Sequence, residues 1–286
     1  PLTVLAFAIA SSTAALFFGG GWRESVGATA IGVTIGTVAL LGGGNRQVAR
    51  LLPVVSGLLA STLAHALATQ LQPMFPLLAT LAGLILLIPG LGLTVAMSEL
   101  AHNHLVSGTA RLTGASITFL QLGFGAAIGW KISPGWFGEI PIAPPVPLAT
   151  WMIWAVLPVT AFAFVILFRA HPRDYVAILL GSIAAYAGSR FGSERFGPEI
   201  GMAFGAWVLG CTSTILARRR RRPAAIALVP GLLLLVPGAL GIRSLQALIR
   251  NDVPLGIETA FTMILIAVAL VTGLFLANLT LRPRAL

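Results

Sequence analysis

An acidic residue and a histidine lie close together in an otherwise apolar stretch, TVAMSELAHNHLVSG (94–108). Glu99 and His102 are three residues apart, so a helix would place them on one face with Asn103, close enough to share a proton or a hydrogen bond. An unperturbed histidine titrates at about pH 6.5. We therefore predict proton transfer at this cluster. The alternative is a short amphipathic helix at a membrane surface, with solvated polar side chains.

A second stretch, ALGIRSLQALIRNDVPLG (239–256), carries arginines where the first carries the acid and the histidine. At helical spacing Arg243 and Arg250 lie on one face, and Asn251-Asp252 before a proline is typical of a helix end followed by a cap. The guanidinium groups could bind the carboxylate of a small ligand. Equally, they could extend to the membrane surface and take no part in binding.

The two stretches belong to an internal repeat, because residues 86–112 align without gaps with residues 234–260. Proline and glycine interrupt helices, and inside a membrane an interruption is tolerated only where it is buried in protein or lines a water-filled cavity. Paired interruptions in two halves indicate a transport site. The alternative is that both Pro-Gly pairs are ordinary helix ends at the membrane interface. The matched identities include Pro89-Gly90 with Pro237-Gly238, Asn103 with Asn251, and Gly108 with Gly256.

Composition identifies the class of protein that must position these residues. Hydrophobic residues make up 57% of the 286-residue chain and charged residues only 9%, whereas a soluble domain carries about 25% charged residues. Too little polar surface exists to cover a water-soluble core. These figures exclude a soluble domain, a disordered chain, a collagen-like fibre and a disulfide-rich scaffold. The class that remains is the polytopic α-helical membrane protein.

A helix needs about 20 apolar residues to cross a membrane. We predict an all-α polytopic membrane protein of about ten transmembrane helices, divided into a first five-span repeat (1–132), a Pro-rich connector (133–147) and a second five-span repeat (148–286). Because five is an odd number of crossings, the second repeat enters from the opposite side, as in inverted-topology transporters. The prolines of the connector favour an extended chain over a helix. The predicted spans are 2–19, 25–44, 51–71, 74–93, 110–131, 148–169, 174–192, 198–217, 224–237 and 255–279.

The positive charges predict the orientation of these spans. With the N-terminus in the cytoplasm, twelve of the eighteen lysine and arginine residues fall in cytoplasmic loops and six in outer loops, in the direction that membrane insertion favours. The run Arg218–Arg222 supplies five of the twelve. We interpret this run as a cytoplasmic anchor rather than a nucleic-acid site, and we expect both chain ends in the cytoplasm.

Enzyme chemistry has little support in the sequence. It contains no metal-ligand spacing, no nucleotide-binding loop and no nucleophile elbow, and its four histidines do not form a zinc pattern. We therefore predict that the chain is not an enzyme and requires no cofactor.

The stretch LLIPGLGLTVAMSELAHNHLVSGTARL (86–112) resembles the threonine/serine exporter family. That family shows a Pro-Gly pair, an acidic residue ten positions after the proline and a Gly-x-x-Arg further on; Pro89-Gly90, Glu99, Gly108 and Arg111 match them. The acidic position is usually Asp, so Glu99 keeps the charge on a longer arm. The second half resembles the family's C-terminal module through ALVPGLLLLVPGALGIRSL (227–245). The family carries a soluble domain before its first span, and we expect this chain to begin inside a longer protein.

The resemblance implies a ten-span protein of the bacterial inner membrane that exports threonine and serine, driven by the proton gradient. Its expected partners are a small amino acid, protons and the lipid bilayer, without nucleic acid; a homo-oligomer stays open. Two alternatives also stay open: export of a dicarboxylate or another small metabolite, and a non-transporting scaffold subunit. The candidate residues for substrate binding or proton coupling are Pro89, Gly90, Glu99, His102, Asn103, Gly108, Arg111, Pro237, Gly238, Arg243, Arg250, Asn251 and Asp252.

Overall fold

The computed structural model describes residues 2–42, 46–140, 144–236, 238–249 and 252–281. Within these ranges the regular structure is entirely helical, with twelve α-helices and a 3-10 turn at Pro172–Asp174. The helices are α1 (Leu2–Phe17), α2 (Trp22–Gly42), α3 (Arg46–Gln70), α4 (Pro76–Gly83), α5 (Gly90–Ala101), α6 (Leu105–Phe137), α7 (Met152–Leu167), α8 (Tyr175–Phe196), α9 (Pro198–Arg220), α10 (Ala225–Leu235), α11 (Gly238–Ile249) and α12 (Val253–Thr280).

Much of the helical surface is apolar. Large hydrophobic side chains such as Phe124 and Phe261 are more than half exposed, and surfaces of this kind need lipid rather than water around them. The protein is therefore a polytopic α-helical membrane protein. Ten crossings stay a prediction. In the described part of the chain, six segments are long and apolar enough to span: Trp22–Gly42, Ala49–Gln70, Leu105–Phe137, Pro198–Arg220, Ala225–Ser244 and Val253–Thr280.

Two helices in each half of the chain begin at positions that the sequence repeat matches. Helices α5 and α11 have equal lengths and begin at Gly90 and Gly238, two positions that the sequence repeat matches. Helices α6 and α12 begin at Leu105 and Val253, which the repeat also matches. The spacing of the sequence repeat is thus present in the helix boundaries. The inverted orientation of the two copies stays a prediction.

The predicted span at 74–93 is wrong as a single helix. Helix α4 ends at Gly83, and two of the backbone bonds that follow run to the third residue back, from Ile85 N to Ala82 O at 3.2 Å and from Leu87 N to Leu84 O at 2.8 Å. Pro89 then lacks an N–H and starts a new helix. At 1.5 Å per residue, the eight residues of α4 extend only about 12 Å.

The Pro-rich connector is helical at its start, contrary to the prediction. Helix α6 continues through Pro134 to Phe137, because Pro134 loses only its own N–H while its carbonyl still accepts from Gly138 N at 2.9 Å. Residues 138–140 and 144–149 are outside any helix, as predicted. The division into two repeats and a connector stays a prediction.

The chain forms two compact units, and each unit combines segments from both halves of the sequence. Unit 1 contains residues 1–88, 117–167 and 242–256, and unit 2 contains residues 89–116, 168–241 and 257–286. In unit 2, Leu91 of α5 packs against a buried apolar cluster that includes Leu209 and Leu270. Helix α5 is therefore held by helices of the second half.

Candidate functional site

The first Pro-Gly pair forms the start of helix α5. Pro89 has φ −79° and ψ 40°, outside the helical region, and Gly90 is the first helical residue. The Pro89 carbonyl accepts the first intrahelical bond from Leu93 N at 2.9 Å, and Thr94 Oγ1 donates to the Gly90 carbonyl at 3.2 Å. The predicted break at this pair is confirmed.

Asn103 closes helix α5 with a left-handed turn. Its φ is 61°, a region that Asn tolerates better than most residues. His104 N donates to Glu99 O at 2.9 Å and Asn103 N donates to Leu100 O at 3.0 Å, which is the bond pair of a Schellman motif. The prediction of one helical face through Glu99, His102 and Asn103 is therefore wrong, because the helix ends at Ala101. The structure gives Asn103 a backbone role.

Gly108 lets helix α6 pack closely against helix α5. A Cβ at this position would lie 2.7 Å from Leu100 Cγ and 3.1 Å from Leu100 N, so any side chain would push the two helices apart. One turn later, Arg111 Nε donates to Glu99 Oε1 at 2.8 Å. The acid and the Gly-x-x-Arg therefore form one unit: Gly108 brings the helices together, and Arg111 pairs with Glu99.

The Glu99 carboxylate is only half satisfied by this pair. Its side chain is 23% exposed and that of Arg111 is 58% exposed. Among the described residues, the second oxygen, Oε2, is buried and has no hydrogen-bond partner. Buried polar atoms normally have one, so Oε2 is a position where a proton or an N–H donor of a ligand would be stabilised. A partly exposed ion pair of this kind contributes about 0–1 kcal/mol to stability. Replacing one partner by a charged group of a ligand therefore costs little free energy.

His102 has other partners than Glu99. Its Nδ1 lies 2.8 Å from the Ser98 carbonyl, so that nitrogen carries the hydrogen and donates. Its ring meets Phe275 edge-on at 4.7 Å between centroids and stacks at 6.4 Å on His104. The structure brings Glu99 together with Arg111, and it places His102 beside them on an exposed turn.

The second hairpin, α11–α12, repeats the backbone bonds of the first. Asp252 N donates to Ala247 O at 2.9 Å and Gly256 N donates to Asp252 O at 3.0 Å. The first hairpin makes the same two bonds at the positions that the sequence repeat matches, from His104 N to Glu99 O and from Gly108 N to His104 O. Asp252 Oδ1 also accepts from Leu255 N at 3.3 Å, which confirms it as the predicted cap of α12.

The side chains of the second hairpin differ from those of the first. The position of Glu99 is taken by the buried Ala247, and that of Arg111 by Thr259. Arg243 is half-buried and pairs with no carboxylate of the described residues. Gly238 begins α11. Three predicted site residues, Pro237, Arg250 and Asn251, lie outside the described residues.

Two further acidic residues, one in each half, each connect the starts of two helices. Glu24 is 2% exposed, and its carboxylate accepts from Gly21 N at 2.8 Å and Phe75 N at 2.9 Å, at the starts of α2 and α4. Asp174, before α8, pairs with Arg222, before α10. In the sequence, the only indication of these contacts is the repeated pair of an arginine and an acid, Arg-Glu at 23–24 and Arg-Asp at 173–174. Across the described residues, no three His, Cys, Asp or Glu side chains gather where they could hold a metal ion.

Comparisons with known proteins identify the family. A threonine/serine exporter family model, ThrE, matches residues 1–133, and a second threonine/serine exporter model, ThrE_2, matches residues 152–280. Pheromone-regulated membrane protein 10 of Kluyveromyces lactis is 24% identical over 99% of this chain and 32% of its own length. The Saccharomyces cerevisiae protein of that name is 24% identical over 71% of this chain and 59% of its own.

An uncharacterised Schizosaccharomyces pombe protein is 28% identical over 70% of this chain and 29% of its own length. The chain therefore spans about a third of the length of the Kluyveromyces lactis protein and of this Schizosaccharomyces pombe protein. No solved structure matches the chain. The two family models together cover nearly the whole sequence, and the chain belongs to the threonine/serine exporter family, a family of membrane exporters rather than enzymes.

Proposed function

We propose that the protein exports threonine and serine across the bacterial inner membrane in exchange for protons. In this proposal Glu99 and Arg111 bind the amino acid, and Glu99 also binds the proton. The observation that carries the proposal is the Glu99–Arg111 pair at 2.8 Å, with the second carboxylate oxygen buried and lacking a partner among the described residues. The cargo itself is proposed from the family.

A zwitterionic amino acid carries the two charges that this pair can bind. Its carboxylate can accept from the Arg111 guanidinium, and its ammonium can donate to Glu99 Oε2. Because the protein pair is partly exposed and weak, two ion pairs with the substrate can replace it.

Competition at Glu99 would couple export to proton entry. A proton on the carboxylate removes the charge that binds the substrate ammonium, so proton and amino acid exclude each other. Substrate would bind to the charged form from the cytoplasm and leave when a proton arrives from outside. The protonated carrier would return and release its proton inside, which is the cycle of an exchanger that uses the proton gradient.

The matched hairpins support alternating access. Hairpins α5–α6 and α11–α12 share their backbone bonds at the positions that the sequence repeat matches, as expected for two copies of one transport element. We propose ten crossings in an inverted arrangement, with both ends in the cytoplasm. The proton-binding acid, Glu99, belongs to the first copy, and the matching position of the second copy is Ala247. Binding of the substrate carboxylate by Arg243 in the second copy is a further part of this proposal.

Efflux from intact cells tests the proposal. Cells that make the protein are loaded with a threonine-containing dipeptide, and threonine release is followed for wild type, Glu99→Gln and an empty vector. The matched control is Glu194→Gln, which removes the acid of the exposed Arg190–Glu194 pair at 2.9 Å. We expect faster efflux for wild type and Glu194→Gln, and efflux at the vector level for Glu99→Gln at equal membrane amounts. Wild-type efflux equal to the vector would reject threonine, and would favour another small metabolite or a scaffold role.

A further inference from the structure

A groove in unit 2 lies where the start of α8, the end of α9 and the start of α10 meet. It is a shallow depression that is open to the surface. The lining combines apolar with polar side chains. It includes the apolar Leu216 and Ile226 and the polar or charged Asp174, Ser213, Arg220 and Arg222.

Two arginines are held in place at this groove by contacts within the protein. Arg222 Nη1 donates to Asp174 Oδ1 at 2.6 Å, and the Asp174 side chain is only 8% exposed. Arg220 Nη1 donates to the Arg173 carbonyl at 3.4 Å. Each contact uses one of the five N–H donors of a guanidinium. Both groups are therefore positioned in advance to bind oxygen atoms of a ligand.

The charge of the groove favours an anion. The single carboxylate in it, Asp174, is neutralised by Arg222, whereas Arg220 has no described acid beside it. Arg219 and Arg221 are exposed next to it. Within the described part of the chain, the buried Ser213 hydroxyl has no hydrogen-bond partner, and it lines the same groove.

We propose that this groove binds the headgroup of an anionic phospholipid. Arg220 and Arg222 would bind the phosphate, since guanidinium groups match phosphate oxygens well. The apolar lining residues Leu216 and Ile226 would contact the first acyl carbons. A run of five arginines at a helix end places this end at the membrane–water interface, where anionic headgroups lie and basic groups attract them.

Native mass spectrometry of the purified chain tests the proposal, with phosphatidylglycerol and phosphatidylcholine of the same acyl chains as probes. Wild type should bind phosphatidylglycerol more tightly than phosphatidylcholine. Arg220→Gln should weaken phosphatidylglycerol binding about fivefold, and Arg220→Lys should retain most of it. The control is Arg195→Gln, which removes an exposed arginine from the opposite end of the α8–α9 hairpin and should leave binding unchanged.

Three results would overturn the proposal. Equal binding of the two lipids would show that charge is not recognised. An equal loss in Arg195→Gln and Arg220→Gln would assign the effect to overall charge rather than to the groove. Competition by glycerol phosphate as strong as by the whole lipid would assign the site to a soluble phosphate. Melting temperatures of the variants, compared with wild type, separate loss of the site from loss of the fold.

Discussion

Replacing Gly108 with alanine tests whether the close contact between α5 and α6 builds the site. The added Cβ would lie 2.7 Å from Leu100 Cγ, 2.9 Å from Leu100 Cδ2 and 3.1 Å from Leu100 N. The Leu100 side chain can rotate away, but the backbone nitrogen can yield only if the helices separate. Because Arg111 lies one turn further along α6, such a separation lengthens its 2.8 Å bond to Glu99.

The expected size of the effect follows from two opposing terms. Extra methyl groups in a packed contact cost about 1–3 kcal/mol, while alanine in place of glycine inside a helix gains about 1 kcal/mol. Gly114 lies on the same helix, and a Cβ there would meet no atom within 4 Å. Gly114→Ala therefore has only the stabilising effect of alanine in a helix. We expect the free energy of unfolding of Gly108→Ala to be lower than that of Gly114→Ala by about 1–3 kcal/mol.

The assay combines thermal unfolding of the purified protein with threonine transport in proteoliposomes. We expect Gly108→Ala to lower both the melting temperature and the transport rate relative to Gly114→Ala. Adding Leu100→Ala removes the two side-chain contacts but keeps the one with the backbone nitrogen, so it should not restore the transport lost in Gly108→Ala. Equal melting temperatures and equal rates for the two alanine variants would refute the packing argument.

Two other predictions concern charged groups. Arg111→Gln should raise the threonine KM more than it lowers kcat, because it removes the partner of the substrate carboxylate; a change confined to kcat in proteoliposome kinetics would count against this role. Glu24→Gln should lower the free energy of unfolding by about 1–3 kcal/mol, because the amide keeps one acceptor oxygen for two backbone donors. The exposed Glu139→Gln serves as its control in thermal unfolding, and equal melting temperatures would contradict the prediction.

The helical class and the break at Pro89 could be predicted from the sequence because each depends on one local property. A 57% hydrophobic composition leaves no soluble alternative, and a proline without an N–H favours the beginning or the end of a helix. The end of α4 at Gly83 could not be predicted in this way. The residues that follow it are apolar and compatible with a helix, and only their backbone bonds show the turn.

The Glu99–Arg111 contact shows why the site could be predicted only in part. Periodicity assumes one helix through 94–108, whereas the left-handed Asn103 reverses the chain and brings Arg111 back to Glu99 from twelve residues away. The family pattern contained both residues without a reason for their spacing. That reason is the Gly108–Leu100 contact, which belongs to packing and has no periodic signal in the sequence.

Proton movement during transport tests the central claim, that amino acid and proton compete at Glu99. Proteoliposomes that contain a pH-sensitive dye are given a threonine gradient without a pH gradient. We predict that wild-type protein moves protons against the threonine flow, and that Glu99→Gln, which can bind neither the proton nor the substrate ammonium as a charge pair, moves neither protons nor labelled threonine. Threonine-driven proton movement of wild-type size in Glu99→Gln would contradict the account.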